Sequence, residues 1–219
     1  GELDRVRPNA QEAARREAKP PVLLVLPGSR RAELARLGAT FGEVLSLLRA
    51  HVPEVELVLP TLPRRLAQVE AMVATWKVAP RIVVEEEDKL AAFRVARAAL
   101  AASGTVTLEL ALAGIPTVAA YRVPWLEGRI APYIIRVKTA ILPNLILGES
   151  AVPEYLQWYI DPPAMAARLA RLIEGGEERE AQLAAFARLD AVMGVGGEPP
   201  SRRAAAAVLE TLAEKRGRA

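Results

Sequence analysis

Apolar positions along this chain switch repeatedly between two periods. Val22 to Leu26, in "PPVLLVLPGSR", is a continuous apolar run ending in Pro-Gly-Ser, the pattern of a strand covered on both faces. From Arg31 to Ala50 the positions Leu34, Leu37, Phe41, Val44, Leu45 and Leu48 recur at three and four residues, which predicts an amphipathic helix. The alternation then continues. "VELVLP" reads as a strand, "PRRLAQVEAMVATW" as a helix, "RIVVE" as a strand and "DKLAAFRVA" as a helix. "ARAALAAS" is a fourth strand of small residues, "GTVTLELALAG" a fourth helix stopped by Gly114 and Pro116, and "TVAAYR" a fifth strand. A short helical lead, Asn9 to Ala18, precedes the first strand.

Strands alternating with helices of this length imply right-handed crossovers and a parallel sheet with helices on both faces. The predicted class is therefore α/β, a doubly wound, Rossmann-like parallel sheet closed by C-terminal helices. Three helices follow Pro162: "PPAMAARLARLIEGG", "EEREAQLAAFARLDAVM" and "PPSRRAAAAVLETLAEKR". The expected organisation is a lead over residues 1–20, a ligand-binding domain over 21–160, and helices over 161–219 that complete or bridge it. Between Trp125 and Leu147 the alternation breaks, and Trp125, Tyr133, Ile134 and Ile135 mix with Arg129, Arg136 and Lys138. That mixture suits a membrane interface or an acyl chain as well as it suits a packing helix with basic ends. The helix from Pro200 to Arg216 is amphipathic and suits packing on a further domain or on a second copy of the chain, so an oligomer stays open.

Composition narrows the chemistry. The 219 residues contain no cysteine, which excludes disulfides, thiolate metal sites and cysteine nucleophiles. His51 is the single histidine and falls where a helix runs into a turn, so histidine metal clusters are excluded and no metal is expected. A net charge of +3 is mildly basic and suits anionic small ligands or an anionic membrane face. With ten aromatic residues and no basic run interleaved with them, nucleic-acid binding is not expected. No apolar run is long enough to span a bilayer, and the polar start "GELDRVRPNAQEAARREAK" is unlike a signal peptide. The expected location is cytoplasmic, and the opening without methionine predicts a piece of a longer protein.

In an open parallel sheet the ligand lies beyond the carboxyl ends of the strands, where helix N-termini present free N–H groups. Two turns suit that role. In "LPGSRRAEL", Gly28 lets a backbone approach closely, Ser29 is a cap former and Arg30 offers a forked guanidinium to phosphate; a bland turn with an exposed arginine is the alternative. In "ASGTVTLEL", Ser103 is a good N-cap, Gly104 removes a Cβ that would block a ligand, and the Thr105 hydroxyl faces the same opening. Glu109 lies four residues on, ~6 Å along the helix axis on the same face, within reach of the hydroxyls of a phosphate-linked ribose. A helix-forming residue paired with an arginine would look the same. Asn144 is a lone amide in "TAILPNLILG", suited to a ligand or to a turn; Glu154 and Gln157, in "VPEYLQWYI", suit ligand contacts or a capped surface helix.

Three stretches, "LLVLPGSRRAEL", "AASGTVTLELALAGIPTVAAYR" and "VKTAILPNLILGESAVPEYLQ", occur in this order with matching gaps. Together they resemble the bacterial lipid-A-disaccharide synthases, glycosyltransferases with two Rossmann domains of the GT-B type. The resemblance spans Pro21 to about Gln157 and matches the C-terminal, donor-binding half of that family. It implies transfer of 2,3-diacylglucosamine from its UDP derivative to 2,3-diacylglucosamine 1-phosphate, with inversion and release of UDP. Carried over by motif, Gly28, Ser29 and Arg30 would contact diphosphate or sugar, Ser103, Gly104 and Thr105 the diphosphate, and Glu109 the ribose. Asn144, Glu154 and Gln157 would lie at the donor or interdomain cleft. The family's N-terminal domain, which supplies the general base and most of the lipid acceptor site, has no match here, so no catalytic residue is assigned and this piece should bind donor without turnover. No cofactor is implied, and a peripheral place on the inner face of the bacterial inner membrane is. The family pattern carries Arg where this chain has Glu149, which therefore receives no role. Because fold alone does not fix substrate, another UDP-sugar transferase or epimerase, or a nucleotide-binding or membrane-interaction module without catalysis, stands as the alternative.

Overall fold

The computed structural model describes residues 5–122 and 139–195, together with Gly197, Arg202, Ala205 and Leu209. Six strands form one sheet: β1 (Val22–Leu26), β2 (Glu56–Pro60), β3 (Arg81–Val83), β4 (Ala98–Ala102), β5 (Thr117–Tyr121) and β6 (Glu154–Leu156). Their order is β3-β2-β1-β4-β5-β6 and every pairing is parallel. The doubly wound α/β class expected from the alternating periods is what the chain adopts. The strand order reverses between β1 and β4, which places a crevice at their carboxyl ends.

All five residues of β1 and of β4 are buried, as continuous apolar runs in a two-sided sheet require. Leu23 and Val25 point to one face, where α2 (Arg31–His51), α3 (Leu66–Val73) and α7 (Pro162–Glu174) pack. Leu24 and Leu26 point to the other, against α4 (Glu86–Val95) and α5 (Thr105–Leu112). The six periodic positions predicted for α2 are all buried, each contributing about 1.5–3 kcal/mol of apolar burial. His51 ends α2 and is exposed.

Three elements depart from the periodicity. The helix expected to reach Trp76 stops at Val73, where the Thr75 hydroxyl donates to the Met72 carbonyl at 2.7 Å and closes a turn instead. The "LPNLIL" run forms a short helix, α6 (Leu142–Leu147), ended by Gly148 at φ +70°. Glu154 opens the sixth strand, paired through Ala119↔Glu154. Of the three helices expected after Pro162, the described residues show α7 and α8 (Glu177–Met193). The basic aromatic stretch through Lys138 and most of the Pro200–Arg216 segment lie outside the described residues.

The amino end of the sheet is closed by the lead helix α1 (Ala10–Glu17). Asn9 and Glu12 cap it reciprocally, side chain to backbone, at 2.9 Å each. From α1, the buried Arg16 donates to the carbonyls of Phe93, Ala113 and Gly114, at 3.0, 3.0 and 3.1 Å, where α4 and α5 end. Arg179 donates to Arg97 O and Leu172 O at 2.6 and 3.2 Å, and to Glu17 at 2.9 Å. Arg97 also pairs with Glu17. Helix ends that carry orphan carbonyls are thus satisfied by guanidinium groups.

Candidate functional site

At the carboxyl end, an open cavity of about 420 Å³ sits over the crevice between β1 and β4. Its floor is the last residues of the strands, Leu26, Pro60 and Ala102. One wall is the turn from β1 into α2, with Gly28, Ser29, Arg30 and Glu33; the facing wall is the turn from β4 into α5, with Ser103, Gly104, Thr105 and Glu109. Seven of the ten residues singled out from sequence therefore line one cavity. Thr61, Leu62 and Arg65 close a third side after β2, and Lys89 with Phe93 a fourth from α4.

The first turn is held tightly. Gly28 adopts φ +117°, and a Cβ there would come within 2.5 Å of the Glu33 side chain. The Glu33 carboxylate accepts the N–H groups of Ser29 and Arg30 at 3.0 and 3.2 Å and pairs with Arg30 Nη1 at 3.2 Å. From outside the turn, Arg65 Nε donates to Ser29 O at 3.2 Å. The glycine makes room for the Glu33 side chain, and the cap of α2 is Arg30, not Ser29. The Arg30 side chain is 84% exposed, so the rest of its guanidinium faces solvent and cavity.

The second turn is open. A Cβ at Gly104 would meet nothing within 4 Å; the Thr107 N–H turns back to Gly104 O at 3.1 Å, and a helix start leaves the N–H groups before it without intrahelical partners. Ser103 does not cap α5 as expected: the helix begins one residue later, with Gly104 as its cap, and the Ser103 hydroxyl donates instead to Ala140 O at 2.7 Å. Thr105 and Glu109 are both exposed on the cavity side of α5. This arrangement offers an anion a helix N-terminus and a cation, and offers hydroxyl groups a carboxylate one turn deeper.

Asn144, Glu154 and Gln157 do not line the cavity. Asn144 is buried and bridges α6 to the following loop, accepting from Val152 N and donating to Val152 O, both at 2.8 Å. Glu154 accepts the Thr139 hydroxyl at 2.5 Å and Ala140 N at 2.7 Å. It therefore fixes the same short segment that Ser103 holds from the cavity side. Gln157 stands at φ +47° in a 3-10 turn (Gln157–Tyr159) after β6. Glu149 pairs with Arg188 of α8.

Sequence reasoning missed Glu33, Arg65 and Lys89 in the cavity. Glu33 had a signal, an acidic residue three positions after the helix cap. Arg65 and Lys89 had none, because they arrive from the ends of other strands.

The site sits in a chain whose residues 3–195 match the family model described as lipid-A-disaccharide synthetase. The chain belongs to that family. It is 52% identical over 212 residues to the lipid-A-disaccharide synthase of Nitrobacter hamburgensis, covering 97% of this chain and 54% of that protein. A lipid-A-disaccharide synthase of Rhodopseudomonas palustris is 51% identical over 207 residues, covering 94% and 52%. The chain thus spans about half the length of these family relatives.

Among solved structures, the α,α-trehalose 6-phosphate synthase of Burkholderia multivorans superposes with a TM-score of 0.58 at 14% identity, covering 98% of this chain and 50% of that one. The C-terminal domain of a group 1 family glycosyl transferase from Francisella tularensis gives 0.55 at 13% identity, covering 90% and 98%. These likenesses are of fold alone: this chain shares its sheet architecture with half of the first protein and with nearly all of the second.

Proposed function

We propose that this chain is the donor-binding half of an enzyme that moves a 2,3-diacylglucosamine unit from its UDP derivative to 2,3-diacylglucosamine 1-phosphate, with inversion and release of UDP. The observation that carries the reading is the meeting of the two predicted turns at one cavity, at the reversal of strand order. Family membership supplies the substrate class. The diphosphate lies at the N-terminus of α5 beside Ser103, Gly104 and Thr105, with Arg30 opposite from the Gly28–Ser29 turn. Glu109, one turn deeper, accepts the two ribose hydroxyls.

As the glycosidic bond to UDP breaks, negative charge grows on the departing diphosphate, and the Arg30 guanidinium and the helix N-terminus stabilise it. Asn144, Glu154 and Gln157 belong to the donor or interdomain cleft, the first two acting through the Thr139–Ile141 segment they hold in place. No residue of this chain is assigned as the general base that deprotonates the acceptor hydroxyl, so this chain alone holds donor without transfer. Residues 21–160 bind the donor, and 161–219 complete or bridge that domain, α7 and α8 being its described helices. Among the described residues no helix is long and apolar enough to cross a membrane; the lipid substrates place the enzyme peripherally on the inner face of the bacterial inner membrane.

Titration calorimetry of UDP into the folded chain tests the reading. Saturable one-to-one binding is expected, and Arg30→Ala should weaken it about tenfold and flatten its dependence on salt. A folded chain that takes up no UDP would overturn the donor assignment. Selective binding of a different nucleotide would favour another sugar-nucleotide enzyme of this fold.

A further inference from the structure

The Glu33 carboxylate occupies the place in the first turn that an anion would seek. It takes both consecutive N–H groups of the turn, Ser29 and Arg30, on Oε2, and one guanidinium nitrogen of Arg30 on Oε1. Two opposite roles fit those contacts. A rival anion would leave when diphosphate arrives, and its removal would tighten binding. A fixed clamp would stay, and its removal would weaken binding.

The packing decides for the clamp. Glu33 is seated over Gly28 so closely that a Cβ would lie 2.5 Å from both its Cβ and its Oε2, and the turn reaches this contact at φ +117°. The carboxylate is largely sheltered while Arg30 is not, with side-chain exposures of 19% and 84%. Arg65 Nε braces Ser29 O from the far side at 3.2 Å, and Gln68 Nε2 donates to Arg31 O at 3.3 Å. A swing of Glu33 outward would leave the left-handed turn without its packing partner and two N–H groups without acceptors.

We infer that Glu33 is a positioning residue of the donor site: it closes the Gly28–Arg30 turn on its own carboxylate and tethers Arg30 by one nitrogen, so that the remaining guanidinium nitrogens meet the diphosphate. This rests on the donor reading above. The turn's backbone N–H groups then contribute nothing directly to the ligand, in contrast to those of α5. A tethered arginine also loses fewer rotamers on binding, which favours affinity.

The test is a double-mutant cycle read by calorimetry, with UDP and uridine titrated into the unaltered chain, Glu33→Gln, Arg30→Ala and the double variant. Glu33→Gln should weaken UDP about tenfold, the equivalent of one charge-assisted hydrogen bond. Its effect in the Arg30→Ala background should shrink to about twofold or less, since the two act as one unit. Uridine, which lacks phosphate, should bind the unaltered chain and Glu33→Gln alike, whereas general damage to the cavity would weaken both ligands. Tighter or unchanged UDP binding by Glu33→Gln, or equal effects in the two backgrounds, overturns the inference and leaves the donor reading standing. No UDP binding by the unaltered chain overturns both. Should Glu33→Gln fail to fold, Glu33→Asp keeps the charge but shortens the reach, and the same loss and coupling are expected.

Discussion

The two ends of the sheet use the same residue type in opposite ways. At the amino end, Arg16 and Arg179 are buried and their nitrogens are bonded to the carbonyls on which helices finish. At the carboxyl end, Arg30 stands 84% exposed with one tether. Burial has a measurable cost below: desolvation, and then the charge of Arg179, pushes Arg16 down to about 10. The arginines below are committed to holding elements together, whereas Arg30 above keeps most of its guanidinium open to something from outside. Parallel sheets have this polarity built in, because every crossover helix ends at the bottom and begins at the top.

That contrast breaks most visibly at Arg16. Replacing it with alanine leaves three carbonyls without their donor and should lower stability by about 3 kcal/mol, read as a shift in the urea midpoint. UDP affinity of the folded fraction should be unchanged. A large loss of affinity with no loss of stability would remove the distinction between the two ends. The converse change is Glu109→Gln, which should weaken UDP by about 1–3 kcal/mol through loss of charge-assisted hydrogen bonds while leaving the urea midpoint in place.

The smallest effect concerns the attachment of α1. The backbone bond from Asn9, and then Arg94, holds the Glu12 carboxyl below its ordinary value of 4.5. A group whose folded value lies below its unfolded one stabilises the fold above 4.5, and that contribution fades as pH falls through the folded value. The protection of the α1 amides, relative to their intrinsic exchange at each pH, should therefore fall in acid, and Glu12→Gln should remove that dependence. Equal acid sensitivity in the two chains would assign it to other carboxylates.

Much of this was legible in the sequence where one physical demand acted alone. The run Val22–Leu26 is apolar throughout because both its faces are covered, and α2 shows its period because one face is. Strand β6 was not legible: three half-buried residues at the sheet edge, "EYL" after a proline, carry neither alternation nor an apolar run. The site divided in the same manner. Residues on the two turns could be placed because strand and helix patterns locate the turns between them. Glu33 stands three residues after the Arg30 cap, a spacing that the sequence carries. Arg65 and Lys89 reach the cavity from segments that follow β2 and β3, and β2 lies beside β1 with β3 beside β2, a fact of topology that no local window contains. Asn144 stood out as a lone amide, and its reason for being there is a backbone partner eight residues on.

The crevice at the reversal of strand order has a consequence for how such chains diverge. Residues of the strands beneath it answer only to the demand for apolar filling, a requirement that many sequences satisfy. The turns above carry the residues that line the cavity. The two vocabularies occupy separate stretches of chain, so a strand can be rewritten without touching the turns, and a turn without unsettling the sheet. Fold neighbours at 13–14% identity share the sheet, and family relatives near 50% match almost the whole of this chain.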